Sequence, residues 1–186
     1  MTAPPHARSS PSLSDAAKLL IPVAIGSAVA VTLGVYASLH RPTGVAVTML
    51  GVSSPLAVKA WLASASALLG AFQLATASAM YGQLPRVTAP PWTGTAHRWS
   101  GRIAFLLSIP VAVHCLYALG LQSSSPRVLL HSLLGCLFYG AFTVKMLFLT
   151  KQGLTGWALP TAGGIVFAAL TALWLTSSLW FFTAAP

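Results

Sequence analysis

Asp15 is the only acidic side chain in 186 residues that carry ten Lys and Arg. That scarcity excludes whole classes of chemistry. The paired carboxylates of glycoside hydrolysis cannot be assembled. No HExxH helix is present, and a Ser–His–Asp triad would have to draw on Asp15, which stands just before the first apolar run. A cation-coupled transporter needs an intramembrane carboxylate to relay protons or coordinate the ion, and no inverted repeat is visible in the chain. Cysteine is almost as scarce. Cys115 and Cys136 both lie in apolar runs without CxxC spacing, so neither a zinc site nor a disulfide framework is indicated. The absence of C-x-x-C-H rules out covalent haem attachment.

What remains is apolar. Hydrophobic residues make up 56% of the chain and charged residues 6%, with a mean hydropathy of +0.79, which no soluble domain needs. The formal charge of +9 does not point to nucleic acid, because the basic residues sit at the margins of apolar runs rather than in a soluble basic patch. Residues 1–16 are small, polar and rich in Pro and Ser, and read as a disordered cytoplasmic tail in which His6 is solvated. The run that follows is too long for a signal peptide and lacks a cleavage site.

From residue 17 to 186 the chain reads as one transmembrane domain. Five apolar segments, Leu19–Leu39, Leu56–Met80, Ile103–Leu121, Val128–Leu149 and Trp157–Phe182, each approach the ~20 residues that cross a bilayer as a helix. The expected fold is therefore an all-α bundle of five transmembrane helices in a bacterial inner membrane. With the N-terminus inside, Arg8, Lys18, Arg86, Arg98, Arg102, Lys145 and Lys151 fall on the cytoplasmic margins, and only Arg41, Lys59 and Arg127 on the outer ones. That asymmetry sets N-inside, C-outside. Trp61, Trp92, Trp99, Trp157 and Trp180 mark span ends. Small residues four apart, Gly26, Ala30, Gly34 and Ser38 in the first span and Ala60, Ser64, Ala67, Ala71 and Ala75 in the second, predict close helix packing. The short turn from Gln122 to Pro126 predicts a tight hairpin of spans three and four.

Three of the five histidines lie between His97 and His131. Ionisable residues are costly in lipid and mark functional sites. His114 sits roughly 10 Å and His131 roughly 5 to 8 Å below the outer end of their helices, taking 1.5 Å per residue. Two imidazoles at similar depth on different helices suit the axial pair of a low-spin b-type haem. Gly135 follows His131 one turn deeper and leaves room for a macrocycle, as Ala118 does below His114. Tyr139 and Phe142 continue the His131 face, and Lys59 and Arg127 stand ready for haem propionates. Each of these also has a plain reading as packing, snorkelling or interfacial charge. His97 lies at the other interface, about 25 Å along the helix. Gly101 follows it at the fourth position, and an inner haem would need Met80, Met146, an outside ligand or five-coordinate iron. His40 ends the first span and is the reserve ligand.

The segments HRWSGRIAFLLSIPVAVHC and HSLLGCLFYGAF resemble small bacterial membrane proteins of the cytochrome b561 and ferric-reductase-like type. More closely, the chain resembles an actinobacterial family of about this length, over nearly everything after the tail. The resemblance implies histidine-ligated b haems, one toward each membrane face, and electrons passing between them. It carries ligand roles to His114, His131 and His97. The second span lacks a histidine and the inner site has one candidate, which departs from a two-haem pattern. The expectation is a membrane cytochrome holding one haem b, or two, and passing electrons to a redox partner protein or quinone, as an electron-transfer subunit or a ferric- or quinone-linked oxidoreductase. The competing expectation is a non-redox scaffold or transporter subunit.

The basic asymmetry also yields a topology test. A reporter active only outside the cytoplasm, fused after Pro186, is expected to be active. The same reporter placed within Gly82–Ala96 is expected to be silent. The reverse pattern would mean a missing or extra span.

Overall fold

The computed structural model describes residues 13–45 and 54–184. Among them every regular element is helical: α1 (Leu13–Leu39), α2 (Pro55–Met80), α3 (Thr93–Val113), α4 (Pro126–Phe148), α5 (Ala158–Trp174) and α6 (Trp180–Ala184). A π-helical turn, π1 (His114–Leu119), prolongs α3, and a second, π2 (Leu175–Leu179), joins α5 to α6. Five of the resulting helical rods are long and apolar enough to cross a membrane. The expected fold class is the observed one. His6 and the rest of the tail lie outside the described residues.

Local chemistry starts the helices. Ser54 and Ser125 accept hydrogen bonds from the backbone N–H of Ala57 and Val128, at 3.4 and 3.3 Å. A proline follows each cap, at a position where its missing N–H would be unpaired anyway. At the far end of π1, Gly120 turns the chain with φ of 67°, a region that side chains disfavour. The freed carbonyls of π1 are then taken up by the segment after α1. Thr43 N–H donates to Tyr117 O and Gly44 N–H to Ala118 O, while Leu121 N–H donates back to Ala37 O at 2.8 Å.

The helices pack as a ring in the order α1, α4, α5, α2, α3, closed where α1 meets π1. Consequently α3 and α4 do not pack backbone to backbone, although only residues 120–125 connect the rods they end and begin. The expected tight hairpin is absent. Aromatic side chains hold its helices apart: Phe105 stacks on Phe142 at 4.1 Å between centroids, and Ser108 bonds the Tyr139 hydroxyl at 2.9 Å.

The α1 stripe of small residues does what lipid requires, since helices in lipid gain little from apolar contact alone. Gly26 meets Gly140 of α4 so closely that a Cβ built on Gly140 would stand 2.6 Å from the Gly26 carbonyl oxygen. Gly34 lies against Cys136. In α2 the packing face keeps only part of the expected stripe, with Ala60 buried. Ala71 and Ala75 are exposed, and Ser66, Gly70 and Thr76 are buried instead. The reason is polar: Ser66 donates to Ala104 O at 3.1 Å, and Thr76 bonds His97 of α3. Large apolar side chains face outward along the rods, Leu39 at 79% and Leu68 at 73% exposed. Trp61, Trp92, Trp99, Trp157 and Trp180 are exposed near helix ends.

The glycine crossing is testable. Gly140→Ala forces a methyl group into a backbone, and overpacking of this kind costs roughly 1–3 kcal/mol. Gly163→Ala meets open space and is expected to be neutral. Thermal melting in detergent should separate the two variants, and equal melting would refute the close crossing.

Candidate functional site

A cavity of about 480 Å³ runs along the axis of the C-terminal end of the bundle, where α1 and α6 finish. All five rods contribute to its wall. Pockets for small ligands span roughly 300–1,000 Å³. On α4 the wall is built from Val128, His131, Ser132, Gly135 and Tyr139, one face at helical spacing. On α3 and π1 it is Ser108, Val111, Ala112, Cys115, Leu116 and Leu119. Both π turns therefore border the cavity, through Cys115 and Leu116 on one side and Thr176 and Ser178 on the other. Such turns recur at functional sites.

His131 is anchored at one ring nitrogen. Its Nδ1 lies 3.0 Å from the Thr176 hydroxyl, which also lies 2.8 Å from Ala172 O. With the hydroxyl proton on that carbonyl, Nδ1 donates to the hydroxyl oxygen and Nε2 is left with its lone pair. This is how metal-binding imidazoles are usually oriented, by a hydrogen bond to the nitrogen that does not ligate. Arg127 also reaches π2, donating to Thr176 O, and its guanidinium lies 4.2 Å over the Trp180 ring. Lys59 borders the same cavity from α2. Asp15, which pairs with Lys18 at 2.9 Å, begins α1 at the opposite end and cannot neutralise either cation.

The structure thus brings together four of the residues expected at the site: His131, Gly135, Lys59 and Arg127. A Cβ on Gly135 would meet nothing within 4 Å, so that glycine does border open space. Tyr139 lines the cavity as expected, while Phe142 stacks on Phe105.

His114 is not brought to His131. It is buried, 6% exposed, against a narrow cleft formed by Pro55, Val58, Lys59, Leu62, Pro110 and Val111, between α2 and α3. The cavity face of α3 runs through residues 108, 111, 112 and 115, and position 114 lies about 100° away from 115 on a helix. Depth along the helix was the same, but direction around it was not.

The inner site closes as well. His97 Nδ1 bonds the Thr76 hydroxyl at 2.8 Å, and Gln73 Nε2 donates to His97 O and, at 2.7 Å, to the Ser100 hydroxyl. A Cβ on Gly101 would lie 3.0 Å from Gln73 Oε1. Gly101 therefore makes room for Gln73, where a macrocycle had been expected. Met80 and Met146 are exposed. His40, the reserve ligand, is stacked between Tyr36 and Tyr117 at 5.0 and 5.1 Å, with Nε2 3.1 Å from Tyr117 O. It fastens the end of α1 to π1.

Sequence inspection missed Thr176, Ser178 and Trp174. A signal existed, because Thr176, Ser177 and Ser178 form a polar triplet inside an otherwise apolar span. Among the described residues no three His, Cys, Asp or Glu side chains converge as a chelate for a bare metal ion.

Space beside the two glycines distinguishes the two sites experimentally. Gly135→Leu enters an open cavity and is expected to leave thermal stability unchanged or slightly raised. Gly101→Leu displaces Gln73 from a bonded position, at a cost of roughly 1–3 kcal/mol. Differential scanning fluorimetry of both variants in detergent decides; equal losses would mean that no cavity borders Gly135.

The model of a family of unknown function, DUF6529, matches residues 19–186, and the chain belongs to that family. No curated protein and no solved structure matches the chain.

Proposed function

We propose that this DUF6529 protein is a membrane b-type haem protein that carries electrons through one non-covalently bound haem, seated in the axial cavity with His131 Nε2 on the iron. The observation that carries the proposal is an imidazole anchored through Nδ1 on the wall of a ligand-sized cavity that is bordered by two cations and no acid. A bare metal ion has no chelate there, but an iron already held by a macrocycle needs only axial ligands.

The residues fit such a group. Thr176 anchors His131 at Nδ1, the contact that would leave Nε2 for the iron. Lys59 and Arg127 would offset the propionates, which are otherwise unfavourable in lipid. Leu116, Leu173, Phe138 and Trp174 line the cavity and would keep water from a bound macrocycle. A bound haem would supply reversible one-electron exchange at its iron. Because the inner space is filled by Gln73, one haem is expected rather than two. With the N-terminus inside, that haem lies toward the outer face, and exchange is with a redox partner protein or quinone on that side.

Among the described residues His131 is the one imidazole that borders the cavity, so it alone would hold the iron there, in place of the expected bis-histidine pair. The purified protein should show a Soret band that shifts on dithionite reduction and again with carbon monoxide, and pyridine haemochrome should give one haem per chain. His131→Ala is expected to lose the haem, whereas His97→Ala and His114→Ala keep it. Colourless protein, expressed with haem in excess, would instead support a non-redox scaffold or transporter subunit. Loss of haem in His114→Ala with retention in His131→Ala would overturn the placement.

A further inference from the structure

Hydroxyls in this bundle are almost all committed to backbone carbonyls. Of the buried ones, Ser66 donates to Ala104 O, Thr76 to Phe72 O and Ser100 to Ala96 O. Among the described residues, two buried side-chain oxygens have no partner, on Thr93 and Ser178. Thr93 opens α3 at the N-terminal end of the bundle, away from the cavity. Ser178 is 1% exposed and lines the cavity. Its neighbours Thr176 and Ser177 each bond the carbonyl one turn back, Ala172 O and Leu173 O, both at 2.8 Å. Ser178 does not. A buried hydroxyl with no partner is destabilising in lipid, where no water can replace the bond.

The position of Ser178 is bracketed by contacts on either side. Trp174 bonds Ser64 of α2 at 2.9 Å, and Phe182 meets the Trp61 ring at 5.2 Å. Ser178 falls between these contacts, beside the start of α2 and about one helical turn from the level of Lys59. Lys59 and Arg127 border the same cavity, and π2 packs against both of their helices. Arg127 uses one N–H on Thr176 O and its face on Trp180, which leaves further donors of its five. A hydroxyl donor and two cations thus share one apolar cavity with no acceptor of negative charge among the residues around it.

We infer that Ser178, Lys59 and Arg127 form a carboxylate-binding subsite of the cavity, for an amphipathic acid whose apolar body fills the remainder. The inference rests on the cavity assigned above to haem, and names the groups that would take its propionates. It requires no iron. A carboxylate accepts from both cations and, once the enclosed Ser178 side chain turns its hydroxyl toward the cavity, from that hydroxyl, and the walls of Leu170, Leu173 and Trp174 suit its apolar part.

The test uses the full chain in detergent after removal of bound ligand. Iron protoporphyrin IX is titrated against its dimethyl ester, which keeps iron and macrocycle but masks both carboxylates. A brominated long-chain fatty acid is titrated against its brominated alcohol, read by quenching of tryptophan fluorescence. The acid of each pair is expected to bind at least about tenfold more tightly than its partner, as a hydrogen bond to a charged group warrants. Ser178→Ala and Lys59→Gln should each remove most of that preference, and Ser38→Ala, whose hydroxyl is bonded to Gly34 O outside the cavity, should not. If neither porphyrin binds but the fatty acid shows the preference and Ser178→Ala removes it, the haem proposal fails and the subsite stands. Equal binding within both pairs, no binding in either, or a preference indifferent to Ser178→Ala would overturn the subsite.

Discussion

Two glycines let α1 and α4 meet backbone to backbone, and the bundle is arranged around that crossing. Gly26 and Gly140 leave no space for a Cβ on either side. Held there, α1 also reaches π1, so it stands between the ends of α3 and α4 although those rods are joined by a six-residue connection, 120–125. A hairpin that would otherwise close is kept open, and its gap is the cavity. Aromatic residues fill the deeper half of the gap, through Phe105, Phe142 and Tyr139. The upper half has smaller side chains, including Gly135 and Ala112, and remains open.

Electrostatics sharpens the same point. In a low-dielectric setting an unpaired cation is unfavourable, and the usual remedy is a carboxylate close by. This chain has no such residue to offer beyond Asp15. Arg127 is steadied by a carbonyl and an indole face, which satisfy geometry without cancelling charge. His131 is anchored through the Thr176 hydroxyl, and the carbonyl of the same residue receives Arg127. One short stretch of π2 therefore orients an imidazole, a guanidinium and, two residues on, a free hydroxyl.

Length and hydropathy made the five rods legible before any coordinates, because spanning length is a local property. Depth was legible too: His131, Gly135, Lys59 and Arg127 were expected together and do border one cavity. What a sequence read by depth could not resolve was direction around each helix. His114 matches His131 in depth yet belongs to the face that meets α2. A glycine in a sequence records only that something approaches closely, and at Gly101 that is Gln73 rather than open space. Ring order was equally hidden, since five apolar helices of similar length can neighbour one another in many ways, and the deciding contact between Gly26 and Gly140 joins residues far apart in the chain.

That separation bears on how the protein is made. The close partners of α1 are α4 and the end of the third rod, neither of which exists when α1 leaves the ribosome, and synthesis runs N-terminus first. In a bilayer, α1 must wait as a solitary rod while three more helices are translated. It is equipped for that interval: its mean hydropathy of 2.1 is the highest among the five spans, so lipid alone can retain it. Assembly is then completed from the back of the chain toward the front, with the first helix docked only after the fourth has arrived.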